Sequence, residues 1–149
     1  MLKNLKRIFS DAAEPRPLPG LERRHLQVAV AVLLHEARRA DYVHENAESD
    51  LAEAALRELF GVDAAEAADL MKEGRAKAES LSSFYAPLTV VKRDFSMPER
   101  IRLIEHLWRI SFADGQLNLY EDHYVRKIAH LLYVPNTDSM LARNRAKAR

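Results

Sequence analysis

Two aspartate–glutamate pairs share one spacing. Asp41 is followed seven residues later by Glu48, and Asp114 seven residues later by Glu121. Carboxylates bring oxygen ligands, so two such pairs brought together suit Ca²⁺, Mg²⁺ or Mn²⁺ rather than zinc. Four carboxylates held close repel one another unless they are protonated, well solvated or bound to a cation. Glu36, Glu45, Glu105 and Asn118 are further oxygen donors near the pairs in the chain. A plainer role competes with ligation. Asn118 followed by Glu121 has the form of a helix N-cap with its N3 glutamate, and Asp114-Gly115 has the form of a chain turn.

Neither pair is an EF-hand. With Asp114 at loop position 5 and Glu121 at position 12, Gly115 and Leu117 fit positions 6 and 8. Positions 1 and 3 then fall on Ile110 and Phe112, which cannot ligate calcium. The same register in the first copy puts Ala37 and Arg39 there. A complete hard-cation site therefore needs oxygens from elsewhere, which the other copy could supply.

The elements around the pairs repeat as well. Each pair follows a helical pattern ending in Ala-Asp and precedes a second one ending in an apolar cluster. Leu34 matches Leu107, and Leu59 matches Leu132. Two helix-loop-helix units related by pseudo-symmetry could bring all four acids together. Along the chain, Leu26, Ala29, Val30, Leu33 and Leu34 mark a helix running up to Ala40. A second spans about 47–60 and stops at Gly61. Asp63 with Glu66 opens a third, through Leu81. Residues 84–95 form a fourth, with Pro87 in its first turn. Ser96, Pro98 and Glu99 start a fifth, residues 119–133 form a sixth, and a short one follows Pro135. No strand alternation persists. The expected architecture is all-α, a single-domain bundle of about seven helices.

Residues 1–20 read as an amphipathic helix and a proline-rich linker. Leu2, Leu5, Ile8 and Phe9 share one helical face, suited to docking on the domain or lying on a membrane surface. Residues 21–142 form the helical domain, and 143–149 a basic, solvated tail. Trp108 and the tyrosines at 42, 85, 120, 124 and 133 are expected to pack the core, an exposed cluster marking instead a partner surface.

The bulk numbers exclude several classes. The 149 residues carry 23 basic and 22 acidic side chains, not the strongly basic balance of a nucleic-acid binder. No cysteine is present, which removes disulfides, thiolate metal sites and cysteine nucleophiles. None of the six histidines stands in an H-E-x-x-H spacing, and His35 is expected to face the core or a partner. Four scattered glycines make no phosphate loop. No nucleophile elbow is visible, so no enzyme is expected. No apolar run approaches the ~18 residues of a membrane span and no signal peptide is visible, so a cytoplasmic location is expected. No heptad seam forces a dimer, although a homodimer suits a helical domain of this size.

The chain resembles the tellurite-resistance TerB family, in a bacterial branch, over about residues 21–142. The matching stretches are LLHEARRAD at 33–41 with Glu48, RELFGV at 57–62, HLWRISFADGQLNLYED at 106–122 and IAHLL at 128–132. Tyr42 departs from the glycine usual in the first loop. The resemblance implies an all-helical domain built on such a repeat, a role in stress or metal resistance, and a divalent cation held by an acidic cluster. On it, Asp41, Glu48, Asp114 and Glu121 carry the acidic positions, and Glu36 completes the candidate ligands. It also implies kinship with the N-terminal domain of a membrane-anchored DnaJ-type co-chaperone, and hence a protein partner.

Overall fold

Local signals set most helix ends. The computed structural model describes residues 20–38, 51–113 and 119–148, together with the backbone of 39 and 45–50. Seven helices follow one another in these residues: α1 Gly20–Arg39, α2 Glu45–Phe60, α3 Ala64–Ser80, α4 Tyr85–Asp94, α5 Met97–Ser111, α6 Leu119–Leu131 and α7 Asn136–Lys147. No strand occurs among the described residues. The amphipathic stretch 1–10 lies outside them.

Gly61 closes α2 with a positive φ of 69°, and its N–H donates to the Arg57 carbonyl at 2.8 Å. Asp63 caps α3 by accepting from the Glu66 N–H at 2.8 Å. Ser96 and Glu99 form a full reciprocal capping box at the start of α5. The sixth helix stops two residues short of Tyr133. Tyr133 takes φ 59°, its N–H donates to the His130 carbonyl, and the Val134 N–H donates to the Ala129 carbonyl. That is a Schellman end with tyrosine where glycine is usual.

The core is built around α1. Val30, Ala31, Val32, Leu33 and Leu34 are all buried, and five consecutive buried residues cover every face of a helix. The sequence suggests an apolar stripe there; the surrounding helices bury the whole turn. α3, α4 and α2 pack on α1 most extensively, and α5 and α6 complete the ring. The approach of α3 is close enough to require Gly74, where a Cβ would sit 2.6 Å from the Ala31 Cβ. Arg100 ties helix ends together by donating to the carbonyls of Lys92, Phe95 and Leu132.

Two expectations are corrected. Trp108 and Tyr124 are buried, but Tyr85, Tyr120 and Tyr133 are exposed, and Tyr42 lies outside the described residues. The basic stretch 143–149 continues α7 as far as Lys147. Arg143 lies over the Trp108 and Phe112 rings at 5.5 and 5.4 Å, and Arg145 pairs with Glu105. Aromatic faces and a carboxylate on α5 draw in cations that charge pattern alone leaves in water.

Candidate functional site

The two helix-loop-helix units are α1–α2 and α5–α6. Each unit places its first helix against the second helix of the other. Tyr124 of α6 donates its hydroxyl to the Leu33 carbonyl of α1 at 2.7 Å, a bond across 91 residues of chain. Glu58 of α2 meets His106 and Arg109 of α5 at 3.2 and 3.6 Å. The α1–α6 and α5–α2 pairs exchange under the repeat, although α2 packs on α5 more extensively than α6 packs on α1.

This pairing brings the last turns of α1 to the first turns of α6. Glu36 is one turn beyond Leu33, and Glu121 one turn before Tyr124, so each residue lies within a turn of the Tyr124–Leu33 contact. Glu36 is half-buried. Glu121 is 1% exposed, an unusual place for a carboxylate. Burial pushes the Tyr124 phenol well above its ordinary value, and the charges of Glu36 and then Tyr120 push it further. The phenol therefore stays a neutral donor, and the Glu36 charge is felt at its oxygen.

Glu36 and Glu121 are thus two of the five candidate ligands, drawn to one end of the bundle. Asp41 and Asp114 lie outside the described residues, as does the side chain of Glu48. The same holds for Asn118 and the side chain of Glu45. Among the described residues, no group of three His, Cys, Asp or Glu side chains could hold a metal. Glu105 is engaged elsewhere, between Arg109 and Arg145. Burial alone would raise its pKa; the Arg145 hydrogen bond and charge, with those of Arg109, outweigh that and hold it below the usual carboxylate value.

His35 is buried beside Glu36, as a core position. Sequence spacing did not single out Tyr124. Its signal is its position one turn after Glu121 on the apolar face of α6. The Glu58–His106–Arg109–Glu105–Arg145 network was not legible either, because its members come from three helices whose adjacency spacing does not reveal.

No helix among the described residues is long and apolar enough to cross a membrane. A family model described as "Tellurite resistance protein TerB" matches residues 27–144. No curated protein and no solved structure matches the chain. With the all-helical repeat in place and most of its length matched, the chain belongs to the TerB family.

Proposed function

We propose that this TerB-family chain is a non-enzymatic binding module that takes a divalent cation where α1 and α6 meet. The reading is supported by one observation above all: the Tyr124–Leu33 bond holds Glu36 and the buried Glu121 at the same end of the bundle. Both are oxygen donors, the chemistry that Ca²⁺, Mg²⁺ or Mn²⁺ prefers. They fit such an ion as part of a donor set. Asp41, Glu48 and Asp114 of the repeated loops are the proposed remainder. A bound cation would neutralise the acids and clamp the two units together. Its setting would be a cytoplasmic bacterial stress or metal-resistance response, of which tellurite resistance is one form.

The test is a thermal melt of metal-stripped protein with and without millimolar Ca²⁺, Mg²⁺ or Mn²⁺, alongside Asp114→Asn. A cation-specific rise in the wild type that vanishes in the variant supports the reading. A wild-type melt that no cation moves beyond a generic salt effect sinks it.

A second reading has its own observation. Glu121 stands in the first turn of α6, where a carboxylate favours the positive helix end without any metal. On that reading the chain is a helical protein-interaction domain, with the acids as helix-terminal residues.

A further inference from the structure

A groove of about 660 Å³ opens between α1, α3 and α4. Its walls include Val28 and Val32 of α1, Ala76 and Leu81 from α3 and its C-terminal end, and Pro87 and Val90 of α4. The rim carries Glu73 and Lys77, whose charges offset each other, so apolar contact must supply the attraction. The α1 wall extends beyond the groove. Leu21, His25, Val28 and Val32 follow one another at helical spacing on one face, and Leu21 is 72% exposed. Tyr85, next to the groove residue Ala86, is 77% exposed. This track, apolar apart from His25, therefore runs toward Gly20, the point where residues 1–19 join the bundle.

We infer that the groove is the docking seat of residues 1–10 of the same chain. The segment Met1–Ser10 carries Leu2, Leu5, Ile8 and Phe9 on one helical face and Lys3, Lys6 and Arg7 on the rest. A helix laid in a groove presents that spacing of anchors. Reach allows it. Residues 11–19 span up to ~30 Å when extended, and a ten-residue helix is ~15 Å long. The groove's first α1 residue, His25, lies only ~8 Å along the axis from Gly20. The tether also favours this occupant. A segment joined by a short linker is present at a millimolar-scale effective concentration, which a free ligand must match. The prolines at 15, 17 and 19 stiffen the linker and lower the ordering cost of return.

The absence of cysteine makes single-site spin labelling of the full chain direct. One label goes on Glu79→Cys, exposed near the groove end of α3, and another on Lys127→Cys, exposed on α6, which packs mainly on α5. Amide signals of residues 2–9 should lose intensity several-fold with the first label and little with the second. Leu5→Glu combined with Ile8→Glu should abolish that loss and leave the signals of residues 21–142 in place. Equal effects from both labels would overturn the inference. So would a loss that arises only between molecules, in a mixture of spin-labelled and isotope-labelled chains, since that outcome assigns the groove to a second copy.

Discussion

The Tyr124 hydroxyl donates to the Leu33 carbonyl at 2.7 Å, and this bond joins α6 to α1 one turn from each of two acidic residues. It is buried, and it links the two halves of the repeat. Removing the hydroxyl with Tyr124→Phe keeps the ring and its packing. The expected loss is about 1 kcal/mol of unfolding free energy, measured by urea denaturation. The loss should depend on pH. Burial, and then Glu36 and Tyr120, raise the folded phenol pKa, so the protonated form is favoured by folding. That contribution is complete below the ordinary tyrosine value of ~10 and fades as pH rises through the folded value. The gap between wild type and Tyr124→Phe should narrow in alkali, and a gap that widens there would contradict the assignment.

Glu121→Ala separates the two functional readings. If Glu121 ligates a cation, the cation-dependent part of the melting temperature should disappear in the variant. If it serves only the start of α6, the variant should lose about 1 kcal/mol equally with and without cations. Calorimetry of both proteins, stripped and loaded, distinguishes these outcomes.

Gly74→Ala should destabilise, against helix propensity. Alanine gains ~1 kcal/mol over glycine in a helix interior. Here its Cβ would stand 2.6 Å from the Ala31 Cβ and 2.9 Å from the Ala31 carbonyl carbon, and backbone cannot step aside as a flexible side chain can. Overpacking of this kind costs ~1–3 kcal/mol, so the net change should be unfavourable. Denaturation midpoints measure it, and a more stable variant would show that α1 and α3 separate easily.

Glu105 should contribute to acid sensitivity. Burial opposes its charge, but Arg145 and Arg109 overcome this and hold its folded pKa below the usual carboxylate value. A depressed carboxyl pKa stabilises the fold above the unfolded value, and that stability is lost as pH falls through the folded value. Glu105→Gln should therefore lower stability near neutrality and flatten its decline below about pH 4.5. Melts across pH 3–7 check both the sign and the window.

The sequence by itself determined what depends on neighbours in the chain. Gly61 needs no partner beyond its own helix to take a positive φ, and Asp63, Ser96 and Glu99 satisfy backbone donors within three residues. The equal spacing of Asp41–Glu48 and Asp114–Glu121 announced the repeat, helical periodicity announced an all-α bundle, and stretches such as HLWRISFADGQLNLYED announced the family. The tertiary structure decided what depends on which helix covers which. Five tyrosines looked alike in the sequence; Tyr124 is buried because α1 lies against α6, while Tyr85, Tyr120 and Tyr133 remain at helix ends facing outward. Arg143 and Arg145 looked like a solvated tail; Arg143 lies over the Trp108 ring of α5, and Arg145, still exposed, pairs with the Glu105 carboxylate. Glu105 looked like a spare ligand, and two arginines claim it. Periodicity reports the faces of a helix, whereas burial and ion pairing depend on residues brought together from distant turns.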